Sequence, residues 1–132
     1  MAESSEPPRR VLYAEDDRVA ALLFSEALRD RVEYELQIAE TGAEALELAS
    51  QWHPDVLVLD AHLPDTTGLA LLAALRSQAG LAQTPAFVCS ADAYEDVQRR
   101  HLEAGFCGYW LKPIDPSRLR ADLEAAAASR RP

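Results

Sequence analysis

The stretch that most constrains this chain is Val56-Leu57-Val58-Leu59-Asp60, punctuated shortly afterwards by Pro64 and Gly68. Four apolar residues, two of them β-branched, run straight into a carboxylate. A short continuous apolar run bounded by turn residues reads as a strand buried on both faces. An open parallel sheet gathers its chemistry beyond the carboxyl ends of its strands. Asp60 is therefore the first candidate for a reactive group.

Similar short strands are expected at Val11–Ala14, Tyr34–Ala39, Ala86–Ser90 and Tyr109–Leu111. Helical spacing lies between them. The first helix runs from Arg18 to about Arg29, with Val19, Leu22, Leu23 and Leu28 as its apolar stripe. Thr41 and Glu44 form a capping box that opens the second, with Ala45, Leu46, Leu48 and Ala49 inward and an end before Pro54. Leu69, Leu71, Leu72 and Leu75 drive the third, and Gly80 is expected to terminate it. The fourth, Asp92 to Ala104, is weakly patterned, anchored by Val97 and Leu102 and closed by Gly105. Asp115 and Pro116 start the last, with Leu119 and Leu123 inward.

Strands alternating with helices of this length imply right-handed crossovers and a parallel sheet covered on both faces. The expected fold is α/β: a doubly wound, five-stranded, flavodoxin-like (βα)5 sheet in the order 2-1-3-4-5. Residues 1–8 read as a flexible tail and 9–132 as a single domain. That order sets strands 1 and 3 side by side, so Glu15, Asp16 and Asp60 converge.

Composition narrows the function classes. Thirteen basic against 22 acidic residues leave a net charge of −9, which argues against the basic face of a direct nucleic-acid binder. No apolar run approaches the ~18 residues of a membrane span, so no membrane partner is expected. Two cysteines and no secretory signal point to a cytoplasmic location with reduced thiols, Cys89 acting as a small core hydrophobe.

Converging carboxylates repel, and at least one pKa should rise unless a cation neutralises them. A hard divalent ion, Mg²⁺ or Mn²⁺, suits oxygen ligands that leave room for a phosphoryl group. The fourth strand ends in the hydroxyl of Ser90, and the fifth runs into Lys112, the only lysine beside twelve arginines. Acidic pair, aspartate, hydroxyl and lysine suit phosphoryl transfer to a carboxylate.

These residues, in this order, resemble the receiver domain of bacterial two-component response regulators, close to the chemotaxis receivers. Glu15-Asp16 resembles the acidic pair after strand 1. Asp60, Leu63, Pro64 and Gly68 match the phosphoacceptor pattern. Ser90-Ala91 resembles the switch hydroxyl after strand 4, and Gly108-Tyr109-Trp110-Leu111-Lys112-Pro113 the strand-5 signature. The resemblance spans about residues 9 to 130.

It implies that Asp60 is the phosphoacceptor, and that Asp16, Asp60 and the backbone carbonyl of His62 bind the metal, with Glu15 acting through water or as an outer ligand. It further implies that Lys112 and Ser90 stabilise the phosphoryl group. Ser90 and Tyr109 would form the switch, Tyr109 moving from exposed to buried and altering the face of helix 4, strand 5 and helix 5. A cis bond before Pro113 is expected. The implied partners are a sensor histidine kinase or histidine phosphotransfer protein, an unidentified downstream protein and, in the phosphorylated form, a second copy of the chain. The implied role is a phosphorelay switch that catalyses only its own phosphorylation and dephosphorylation, not a metabolic enzyme. Both a free-standing receiver and one from a hybrid kinase fit.

His62 and Asp92 flank the site and are candidates to tune phosphoryl lifetime through the attacking water. Asp17 is expected to cap the first helix. His53 and His101, without metal-ligand partners at helical spacing, read as solvent-facing. Trp52 is expected at a helix end. Trp110 should face away from Tyr109 and Leu111 and pack under a helix. The competing readings are weaker. A haloacid-dehalogenase-like phosphatase needs an acid where His62 stands, and a flavodoxin-like cofactor binder needs a phosphate loop where Glu15-Asp16-Asp17 would repel one. A degenerate receiver serving as a phosphorylation-independent interaction module is the main alternative.

Overall fold

The computed structural model describes residues 7–78 and 80–129. Most of the expected tail and the end of the chain beyond 129 lie outside the described residues. The elements alternate throughout: β1 (Arg9–Ala14), α1 (Arg18–Ala27), β2 (Tyr34–Ala39), α2 (Gly42–Trp52), β3 (Val56–Asp60), α3 (Gly68–Arg76), β4 (Ala86–Ser90), α4 (Glu95–Glu103), β5 (Gly108–Leu111) and α5 (Pro116–Ser129). All strand pairs are parallel and their order is 2-1-3-4-5, as the alternation requires. Every residue of β3 and β4 is buried, which explains their unbroken apolar sequences. Among the described residues no helix is long and apolar enough to cross a membrane.

The pleat divides the core into two layers. On one side Leu12, Leu57, Leu59 and Val88 pack against α2 and α3 through Ala45, Ala49, Leu71, Leu72 and Leu75. On the other, Val11, Tyr13, Val58 and Phe87 meet Phe24 of α1 and Leu119 and Leu123 of α5. This second layer is rich in aromatic contacts. Tyr13 stacks on Phe24 at 4.2 Å, and Phe87 stacks on Trp110 at 4.8 Å. Trp110 lies on the layer opposite Tyr109, as alternation demands, and its indole N–H donates to Asp122 Oδ2 at 2.7 Å.

Three helices differ from the sequence reading. In α1 the inward stripe is buried Phe24 with half-buried Ala21 and Ser25, continued by Leu28 at the C-cap, not Val19, Leu22 and Leu23. Both sets have helical spacing, but it is Phe24 that enters the aromatic core, stacked on Tyr13 and beside Trp110. The Ser25 hydroxyl is satisfied by the Ala21 carbonyl. α3 stops at Arg76, and Gly80, at φ 87°, belongs to the turn beyond it. α4 starts at Glu95 rather than Asp92, because Asp92 N–H donates to Ser90 Oγ and Tyr94 N–H to Asp92 Oδ1. Two successive side-chain turns compete with the helix and delay it.

Candidate functional site

The carboxyl ends of β1, β3, β4 and β5 bring the predicted residues together. Asp60 closes β3 and is buried. Its loop returns sharply: Gly68 N–H donates to the Ala61 carbonyl at 2.9 Å, and Leu63 N–H to that of Thr66. A Cβ on Gly68 would lie 3.0 Å from the Asp60 carbonyl oxygen, so glycine is what lets α3 start this close to the strand. Asp65, at the loop tip, reaches across to α2 and accepts from the N–H groups of Gly42 (2.8 Å) and Ala43 (3.0 Å). Those bonds hold its carboxyl below the ordinary aspartate value.

Lys112 arrives from beyond β5. Its ammonium lies 2.8 Å from Glu15 Oε1 and 3.1 Å from Asp60 Oδ2. The following Lys112–Pro113 bond is cis, as expected. Burial opposes the lysine's charge, but the hydrogen bonds to Glu15 and Asp60 outweigh it and hold the ammonium above its usual range. Glu15 is pushed up, first by burial and then by the Asp60 carboxylate; Lys112 works against both.

Of the acidic pair, it is Glu15 that is buried within this cluster. Asp16 beside it is exposed. Asp17 caps α1, its Oδ1 accepting from Val19 N–H at 3.0 Å. Among the described residues, Glu15, Asp60 and Cys89 present ligand atoms within 4.8 Å of one another. Burial pushes the Cys89 thiol up to about 12, so it remains protonated and is no ligand for a hard ion. The donors that fit are oxygens. Glu15, Asp16 and Asp60 carry three negative charges against the single charge of Lys112, an excess that a divalent cation would neutralise.

Ser90 and Tyr109, the expected switch pair, lie on β4 and β5. Ser90 is buried and its Oγ accepts from Asp92 N–H at 3.1 Å. Tyr109 is in its buried arrangement, 5% exposed, and its hydroxyl donates to the Asp92 carbonyl at 2.7 Å. Asp92 is thus occupied by Ser90, Tyr94 and Tyr109. His62 is exposed, and its N–H donates to Asp60 Oδ1 at 3.2 Å.

His53 is exposed, as read from the sequence, but His101 is a correction. It is buried, only 6% exposed, and edge-on to Tyr109 at 5.3 Å. Its Nδ1 lies 2.8 Å from the Val97 carbonyl, which can only accept, so Nδ1 carries the proton. Val97 and His101 form the inner edge of α4, and Leu102 is largely exposed. The i,i+4 spacing to Val97 was the signal for this.

Sequence reasoning also passed over Tyr13. Its hydroxyl donates to Glu15 Oε1 at 2.9 Å, and the two residues are i and i+2 on one strand side. That parity was visible in the chain. Asp65 had no such signal, because its partners are 22 and 23 residues away.

Exposed apolar residues of α1 border the same site through Val19 and Leu23. Val19, Leu22 and Leu23 are 65%, 60% and 57% exposed. Val19 and Leu23 line a groove of about 760 Å³ whose walls include Phe24, Ile114, Leu119 and Lys112.

Comparison with known proteins gives one consistent result. Residues 11–124 match the family model of the response regulator receiver domain. The transcriptional regulatory protein PdtaR of Mycobacterium tuberculosis is 32% identical over 121 residues, covering 92% of this chain and 58% of that protein, so the chain spans little more than half of its length. The polar-differentiation response regulator DivK of Brucella ovis is 32% identical over 113 residues, covering 83% of this chain and 89% of its own. Among solved structures, the chemotaxis response regulator CheY4 of Vibrio cholerae superposes with a TM-score of 0.82 at 27% identity, covering 90% of this chain and 98% of CheY4.

Proposed function

The chain belongs to the response regulator receiver domains, and from that premise we propose that it is a phosphorelay switch in which Asp60 takes a phosphoryl group from a phosphohistidine donor. The observation that carries this reading is the position of the chain's only lysine, 3.1 Å from the buried Asp60 carboxylate. A carboxylate oxygen of Asp60 attacks phosphorus as the P–N bond of the donor breaks, and the imidazole leaves with the bonding electrons. Lys112 follows the charge onto the phosphoryl oxygens, and Ser90 donates its hydroxyl to one of them. Hydrolysis reverses the covalent step: water attacks phosphorus, Asp60 departs as a carboxylate and phosphate is released. Asp16, Asp60 and the His62 carbonyl, with Glu15 acting through water or as an outer ligand, would hold Mg²⁺ or Mn²⁺, which would supply further charge neutralisation. These are steps of the protein's own modification, so it is a signalling switch rather than a metabolic enzyme, and it works in the cytoplasm.

The donor is a sensor histidine kinase or a histidine phosphotransfer protein. Its histidine must reach Asp60, so it docks beside the site. Val19, Leu22 and Leu23 with the adjoining groove offer an apolar surface there, with Lys112 on its wall. The reader of the signal is a downstream protein, or a second copy of the chain, at the face of α4, β5 and α5, where Tyr109 links Ser90's loop to β5.

Incubation with acetyl phosphate and Mg²⁺, followed by intact mass, tests the proposal. Wild type gains one phosphoryl group. Asp60→Asn gains none, and a chelator abolishes the gain in wild type. No gain with any donor would favour the phosphorylation-independent interaction module instead.

A further inference from the structure

Glu15 stands where a shorter acid would be held more tightly by its own backbone. Its extra methylene adds a rotatable bond, so its carboxylate needs external partners to stay in one place. Three donors hold it: Tyr13 Oη and Lys112 Nζ on Oε1, and Asp17 N–H on Oε2 at 3.2 Å. Lys112 divides its ammonium between Glu15 and Asp60. The Asp17 contact is long and lies at the chain's exit from the strand. Tyr13 alone comes from the interior. Its ring is fully buried and stacked on Phe24, so the hydroxyl has little freedom to leave.

We propose that Tyr13 is a positioning residue: its hydroxyl holds Glu15 Oε1 in register with Lys112 and thereby sets the arrangement of acids that receives the metal ion. The part concerning the ion rests on the function proposed above; the part concerning Lys112 does not. A phenylalanine would fill the same space and stack in the same way, so the hydroxyl is there for Glu15. Cys89, the other polar neighbour, is a donor there, its thiol directed at the Tyr13 oxygen (4.0 Å) and the Leu59 carbonyl (3.7 Å), so the Glu15 carboxylate is the acceptor for the Tyr13 hydroxyl.

The chain's single lysine makes the test direct, because protein made with isotopically labelled lysine yields one side-chain NMR signal, that of Lys112. In metal-free protein, Tyr13→Phe is expected to shift this signal. In a Mg²⁺ titration the same variant is expected to bind about tenfold more weakly, the lower end of effects for residues that orient ligands. Both changes should vanish when Tyr13→Phe is added to Glu15→Ala, where there is no carboxylate to hold. Unchanged signal and affinity in Tyr13→Phe, or equal changes in the Glu15→Ala background, would overturn the proposal and reduce Tyr13 to packing. Wild type offers a check that needs no variant to fold: the Tyr13 hydroxyl proton should exchange slowly with solvent, and a fast-exchanging one would overturn the proposal. Wild type that binds no Mg²⁺ would sink the metal-assisted reading while the Lys112 signal still decides the role of Tyr13.

Discussion

α1 and α4 flank one site from opposite sides of the sheet, and they are anchored in opposite ways. α1 buries a large aromatic, Phe24, between Tyr13 and Trp110, and still leaves three bulky apolar residues in solvent. α4 exposes mostly charge, and its inner edge is half-buried Val97 and the buried, hydrogen-bonded His101. The first arrangement suits a rigid platform on which an apolar partner settles. The second suits a segment that shifts, because little apolar area is lost when it moves. The two sides of the site are thus built from different physical materials.

Truncation of each anchor gives the widest test of that contrast. Phe24→Ala should cost about 3–5 kcal/mol in urea unfolding, the range for emptying a buried aromatic site. Equal or smaller loss than for His101→Ala would break the comparison. Leu22→Asp with Leu23→Asp should leave the urea midpoint nearly unchanged, since both side chains are exposed. If α1 receives the phosphodonor, transfer from a protein donor should fall about thirtyfold, the equivalent of one hot spot of ~2 kcal/mol. Phosphorylation by acetyl phosphate should stay as in wild type; loss with both donors would show damage to the site rather than to docking.

His101→Ala should lower stability by only about 1 kcal/mol, that of one hydrogen bond. Its larger consequence is for Tyr109, which loses its edge-on neighbour and should become accessible to solvent without phosphorylation, as read by tyrosine NMR or iodination. A Tyr109 that stays protected would leave the Asp92 carbonyl as its sufficient anchor. The smallest effect concerns Asp65, which is exposed. Its carboxyl is held below the ordinary value of 3.8 by the Gly42 and Ala43 N–H groups. A lowered carboxylate pKa stabilises the folded state above the unfolded value, and that stability fades as pH falls through the folded one. Asp65→Asn should therefore lower stability slightly at neutral pH, where the ionised carboxylate accepts both N–H groups, and converge with wild type as pH falls below about 4, which flattens the acid limb of a stability–pH curve.

Much of the molecule was legible in the chain. Strand order followed from the alternation of elements, and Asp60, Ser90 and Lys112 announced themselves by standing at strand ends, because a parallel sheet presents successive carboxyl ends on one edge. Trp110's side of the sheet followed from the two-residue period of a strand. Helix faces were harder. Val19, Leu22 and Leu23 form as good a stripe as Ala21, Phe24, Ser25 and Leu28, and hydrophobicity favours the wrong one. The aromatic neighbours of Phe24, Tyr13 and Trp110 from two different strands, are what the inward stripe packs on, and they are known only once the sheet is assembled. His101 was misread for a related reason: on a charged helix a histidine looks like surface until its neighbours, Phe106 and Tyr109, are known.

The sequence by itself determined that a lone aspartate would end a buried strand beside an acidic pair, because local hydrophobic pattern and connectivity suffice for that. The tertiary structure alone decided that Glu15, rather than Asp16, meets Lys112 inside, and that Tyr109 is buried against the loop after β4. Those outcomes depend on contacts between residues far apart in the chain, in a crowded interior where each carboxylate must find a donor.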